Sequence, residues 1–128
     1  MRRITAVLTG AVALSAAFTS QAVAAPAVID APNARAAAEV GYRGELLRQK
    51  NVVDSFQVAE GLYCVIVDPN AGINLPSALI LGNAGGHATN VHTIGQPTTS
   101  CNGRRDAITV VTLKDNLPKS DSFTIAVL

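Results

Sequence analysis

Apolar positions in this chain recur at a spacing of two or gather in short runs, and turn residues cut each run off. Beyond residue 39 no stretch of a dozen residues keeps apolar side chains at i, i+3, i+4 and i+7 free of Gly or Pro, so the helical period is missing. The runs read as strands. Residues 40–43 form a weak one and 45–48 a second, joined at Gly44. Residues 52–58 follow with Val52, Phe56 and Val58 on one face, and Asp54 on the same face predicts a sheet edge. Ala59-Glu60-Gly61 is a hairpin-type turn into Leu62–Val67, whose sequence LYCVIV is apolar on both faces and predicts a central, covered strand.

Asp68-Pro69-Asn70-Ala71-Gly72 is a turn, and Ser77–Leu81 an apolar run ended by the loop Gly82–Gly86. Asn90–Ile94 is a short strand, residues 95–102 are a loop, and Ala107–Leu113 alternates well. Residues 114–121 form a polar turn around Pro118. The last strand, Phe123–Leu128, turns Phe123, Ile125 and Val127 one way and Thr124, Ala126 and Leu128 the other. About eight short strands with turns every ~8–12 residues predict an all-β fold, an antiparallel β-sandwich or small barrel. Residues 25–38, rich in Ala and Pro, read as a flexible lead-in with a short helical turn at Ala36–Glu39. Residues 39–128 then form a single β-domain.

The N-terminus has the pattern of an export signal. Arg2 and Arg3 precede the apolar segment Ile4–Phe18, and Ala22-Val23-Ala24 supplies an A-x-A cleavage site, which predicts a cut after Ala24 and a secreted protein, with cell-wall association as an option. The apolar segment is shorter than the ~20 residues of a membrane helix, and no later one approaches that length, so no membrane span is expected in the mature protein. Removing residues 1–24 takes two of the ten Lys+Arg and none of the nine Asp+Glu, which turns a formal charge of +1 into −1. A near-neutral domain lacks the basic surface of a nucleic-acid binder, and Arg104-Arg105, the one basic cluster, runs straight into Asp106.

Both cysteines, Cys64 and Cys101, lie in the mature part. In an exported chain an even count reads as one disulfide, and their wide spacing, with no C-x-x-C, argues against redox catalysis. Candidate chemistry is sparse. His87 and His92, in GGHATNVH, are five apart, a spacing that puts them on different faces of either a strand or a helix. No third ligand is evident, so no metal is expected. There is no G-x-S-x-G elbow, the carboxylates are scattered, and Gly82–Gly86 fits neither the P-loop nor the dinucleotide glycine pattern. Neither catalytic residues nor a cofactor are predicted. Without Trp, and with few Tyr or Phe, the chain is also poor in the aromatic side chains on which carbohydrate platforms draw.

Two segments carry a resemblance. Gly44-Glu45-Leu46 to Val52 reads G-x-L-x-R-x-x-x-V and is followed by G-x-Y-x-V at Gly61–Val65. The C-terminal part reads V-x-T at Val110–Thr112 and D-x-F-x-x-A-V at Asp121–Val127. Together these resemble small secreted bacterial β-domains that carry no assigned activity. The resemblance implies an extracytoplasmic β-domain and transfers no catalytic residue. The chain departs from that pattern where a cysteine-containing strand directly after G-x-Y-x-V is missing, which leaves the cysteine pairing open on this comparison. The expectation is a secreted extracellular or cell-surface module with a binding or structural role and an unidentified protein or cell-surface partner. Contacts are expected on the loops 82–89 and 95–105, through His87, His92, Asn102, Arg104 and Arg105. The alternative is a secreted protease inhibitor that inserts the 95–105 loop.

Overall fold

The computed structural model describes residues 25–88 and 90–128. The expected export signal, residues 1–24, lies outside them. The described chain forms two β-sheets packed face to face, a β-sandwich with no closed barrel. The first sheet has the order β1-β3-β2-β10-β6: β1 (Ala27–Val28), β3 (Leu46–Lys50), β2 (Ala36–Val40), β10 (Phe123–Val127) and β6 (Ile80–Ala84). The second runs β4-β5-β8-β7: β4 (Val52–Ala59), β5 (Leu62–Val67), β8 (Ala107–Lys114) and β7 (Asn90–Ile94), with β9 (Leu117–Pro118) also paired to β8. Eight of these strands have five residues or more, and every pairing is antiparallel except that of β1 with β3. Short 3-10 turns cover Pro69–Ala71, Leu75–Ser77 and Thr99–Cys101.

The core is the set of inward residues of both sheets. Ala36, Ala38 and Val40 of β2 and Phe123, Ile125 and Val127 of β10 face Tyr63, Val65 and Val67 of β5 and Ile108 and Val110 of β8. The alternation expected for β10 is therefore found, and β5 is the covered interior strand that its two apolar faces required. β4 lies at a sheet edge, as Asp54 predicted. Its face was misjudged, because bulges interrupt the pairing between Val52 and Asp54 and again between Gln57 and Ala59. Each bulge adds a residue and resets the period of two. Val52 and Ser55 thus point inward, while Val53, Phe56 and Val58 are exposed.

Three further expectations are corrected. Ala36–Glu39 is no helical turn: it belongs to β2, paired on both sides, and Ala36, Ala37 and Ala38 are buried. Alanine favours helix in isolation, but here small side chains let an interior strand sit close to the opposing sheet, and packing overrides propensity. Residues 41–43, read as a strand end, form the turn into Gly44, whose φ of 92° only glycine adopts readily. The run expected at Ser77–Leu81 starts as strand only at Ile80 and continues through Gly82. Gly82 faces the core where Val91 reaches across from β7, and a Cβ there would stand 2.7 Å from Val91 Cγ1. Glycine here is a packing residue of the sheet rather than the start of a loop. The polar turn after β8 is a tight one, with Asp115 and Asn116 both at positive φ (52° and 63°), the geometry that matches strand twist in a two-residue hairpin.

Tyr63 joins the two sheets at one end of the core. It is fully buried, and its ring meets Phe123 edge-to-face at 5.0 Å between centroids. Its hydroxyl donates to the Tyr42 carbonyl at 2.6 Å and accepts from the Asp121 N–H at 3.2 Å. Burial, the main cause, holds the phenol pKa above its ordinary value, so it stays a neutral donor at physiological pH. Tyr63→Phe keeps the ring and orphans both partners, which costs about 1–3 kcal/mol. The melting temperature should fall by several degrees in a thermal scan; an unchanged value would mean that water replaces both bonds.

Candidate functional site

The predicted contact residues do not meet. β8 runs between the two candidate loops, and eight residues at ~3.3 Å each separate its ends by roughly 25 Å. His87 lies at the Lys114 end of this strand, near the segment 119–122, whereas Asn102, Arg104 and Arg105 lie at the Ala107 end. His92 points outward from β7 and pairs in register with Val111 on the open face of the second sheet. Among the described residues no three His, Cys, Asp or Glu side chains gather closely enough to hold a metal ion.

At the 95–105 end the chain folds down over the outer face of β5. Cys64 and Cys101 form a disulfide with a Cα–Cα distance of 5.7 Å. Cys64, Ile66, Cys101 and Ala107 make a second small apolar cluster outside the main core. Thr98 Oγ1 and Thr109 Oγ1 share a hydrogen bond of 2.6 Å that fastens the start of the 3-10 turn. The backbone stays compact through Asn102 and Gly103, at φ of 59° and 66°. Arg104 binds Asp106 with both prongs, at 2.8 and 2.7 Å. That hydrogen bonding, rather than charge alone, sets Asp106 below the usual carboxylate range, although partial burial opposes it. A lowered folded-state pKa stabilises the fold above the unfolded pKa, and the benefit disappears as pH falls through the folded value. Arg104→Ala should bring the Asp106 titration, followed by NMR, back toward the ordinary carboxylate range. The stability gap between wild type and variant should be present at neutral pH and close in acid.

The other end holds a cleft of about 500 Å³, lined by Tyr42, His87, Lys119, Ser120, Asp121 and Ser122. Its floor is built from Asp121, only 5% exposed. Asp121 Oδ2 accepts the N–H groups of Gly86 (3.1 Å) and Ala88 (2.6 Å), and Oδ1 accepts that of Ser122 (2.8 Å). The Gly85 N–H adds a bond to the Ser122 carbonyl at 2.7 Å. A Cβ on Gly86 would press to 3.0 Å from Asp121 Oδ1, so glycine lets the loop settle onto the carboxylate. The residues on both sides of His87 are thereby held by one buried oxygen, while the His87 side chain is exposed. With three N–H donors on it, the carboxylate serves as a backbone clamp rather than a free base.

The far wall is fixed as firmly. Ser120 Oγ accepts from Gln57 Nε2 (2.7 Å) and the Gly61 N–H (3.1 Å), and the Ser120 N–H donates to Glu60 (3.0 Å). This bond to Ser120 is the leading cause that lowers the Glu60 pKa. Thr112 Oγ1, inside the core, donates to the Lys119 carbonyl at 2.5 Å. Of the cleft residues, sequence reasoning selected His87 alone. Asp121 opens the D-x-F-x-x-A-V segment as the last polar residue before β10, and its tie to a glycine loop more than thirty residues away leaves no local pattern.

The chain matches no family model, and comparison with curated proteins and with solved structures returns no match.

Asp121→Asn retains one acceptor oxygen but turns an NH₂ toward an N–H donor, and a lost bond to a buried charged acceptor costs about 1.5–3 kcal/mol. Hydrogen exchange at Gly86 and Ala88 should speed up well before that at Val65 or Val110. A uniform change across all four amides would show that Asp121 acts on the fold as a whole instead of on the loop.

Proposed function

We propose that the chain is an exported binding module, without catalytic activity, that attaches to a cell-surface or extracellular component through the His87 cleft. One observation carries this reading: a buried carboxylate is spent on fixing the backbone around an exposed histidine, at the mouth of a cleft whose opposite wall is bonded to the core. Fixed walls lower the ordering cost of binding. Export is supported by the Arg2-Arg3 segment, the A-x-A site ending at Ala24, and a disulfide of the kind that persists outside the cytoplasm. The resemblance to small secreted bacterial β-domains points the same way. No described helix is long and apolar enough to cross a membrane.

The 95–105 loop supports the inhibitor alternative less well. Substrate-like insertion into a protease takes an extended segment, and this loop is a compact turn with Arg104 engaged by Asp106. Protein recovered from culture medium, with its first residue at Ala25, should co-sediment with the cell-envelope fraction of the producing cells. His87→Ala and Tyr42→Ala should weaken retention by roughly tenfold, the effect of losing a contact worth ~1.4 kcal/mol. No co-sedimentation, or equal retention of all three proteins, overturns the proposal.

A further inference from the structure

We infer that the cleft takes an uncharged saccharide unit of a surface glycan, with Tyr42 as its packing platform; this rests on the proposed binding role of the same cleft. The composition of the walls comes first. No lining residue has an aliphatic side chain, but the walls mix carbon surface with hydroxyl, imidazole and ammonium groups, a lining that suits a ligand carrying both kinds of group better than a purely apolar lipid tail. A ligand with C–H surface as well as hydrogen-bonding groups matches this mixture.

The charges decide between the remaining ligand classes. Lys119 and Asp121 both line the cleft, Lys119 on a wall and Asp121 on the floor. Glu60 acts on Lys119 from the same wall, since it accepts from the adjoining Ser120 N–H and feels the Lys119 charge. Both signs therefore stand around the cleft, Lys119 and the Arg43 over Tyr42 against the buried Asp121 and the Glu60 that holds the Ser120 N–H. Opposite charges at close range favour a neutral ligand with many hydroxyls, which can accept from Lys119, pair with Ser122 and either donate to or accept from His87.

Tyr42 supplies what hydroxyl recognition alone lacks. Tyr42 is 51% exposed, although its carbonyl is held by the buried Tyr63 hydroxyl. The Arg43 guanidinium lies over the ring, 5.1 Å from the centroid, a cation–π contact that restrains it. A sugar ring presents C–H groups on its faces and hydroxyls on its rim, matching one aromatic plane beside polar side chains. The cleft volume, about 500 Å³, falls within the ~300–1,000 Å³ of small-ligand sites. Scarcity of aromatics in the whole chain does not oppose this, because a single-sugar site needs one platform in the right place.

The test uses the purified full mature protein, disulfide intact, with envelope fractions pretreated by periodate, which cleaves vicinal diols, or by protease. Periodate should abolish retention of the wild-type protein, and Tyr42→Ala should lower retention on untreated envelopes by about tenfold. Retention that survives periodate overturns the saccharide inference, and loss on protease treatment alone then identifies a protein partner. If His87→Ala still reduces that periodate-resistant retention, the binding role of the cleft stands without the sugar. If neither variant changes retention, both readings fail. Circular dichroism of the two variants, matching wild type, guards against a folding defect.

Discussion

A strand that is apolar on both faces cannot lie in a two-layer sandwich unless something covers its outer side, and β5 poses that requirement here. Tyr63, Val65 and Val67 face the opposing sheet, whereas Cys64 and Ile66 face away from it. No third layer exists among the described residues. The 95–105 segment takes its place, pulled onto the sheet by the Cys64–Cys101 bond and by the Thr98–Thr109 hydrogen bond. Closing a loop across this separation of 37 residues stabilises the fold by roughly 4 kcal/mol in the chain-entropy model. That is a large part of the ~5–15 kcal/mol typical of a domain. The same link spans β7 and the glycine loop, so the disulfide also limits how far the His87 segment can stray in the unfolded chain.

From β5 the constraint passes to the cleft through one side chain. Tyr63 is packed against Phe123, and its hydroxyl fixes the Tyr42 carbonyl on one side and the Asp121 N–H on the other. The exposed Tyr42 ring and the buried Asp121 carboxylate are therefore both referenced to the same core atom. Thr112 adds a second tie through the Lys119 carbonyl. Residues from three sequence regions, 42, 86–88 and 119–122, are brought together by hydrogen bonds to main-chain groups. Such bonds survive changes of side chain, which leaves the outward-facing groups free to vary in chemistry on a constant frame.

How much of this was legible depended on the range of the interaction involved. Period-two alternation located β8 and β10, because one sheet face buried and the other exposed writes its pattern into consecutive residues, while short runs between turn signals located β5 and β7. The alanines of β2 carried a helical propensity that long-range pairing with β3 and β10 overruled. Bulges in β4 moved Phe56 to the surface with no local mark in the sequence. Cys64 and Cys101 could be paired because only two cysteines exist. Asp121 could not be linked to Gly86 and Ala88 in the same way, since any of several acids was an equal candidate partner for a glycine loop. The candidate site was accordingly visible only through His87.

The two histidines show why position on the frame matters more than proximity in sequence. His92 stands on a regular strand, beside Val111 on an open sheet face, and its backbone is held by the ordinary ladder. His87 lies in a bend whose backbone would otherwise leave buried N–H groups unpaired, and a buried charge is committed to it. A carboxylate taken out of water is costly unless donors surround it. Asp121 has three, and two of them flank His87. A loop that only had to connect β6 to β7 could cross at the surface with water as its partner, free of that desolvation cost. The geometry instead spends a buried carboxylate on fixing the backbone on both sides of one exposed side chain, and that distinguishes His87 from His92.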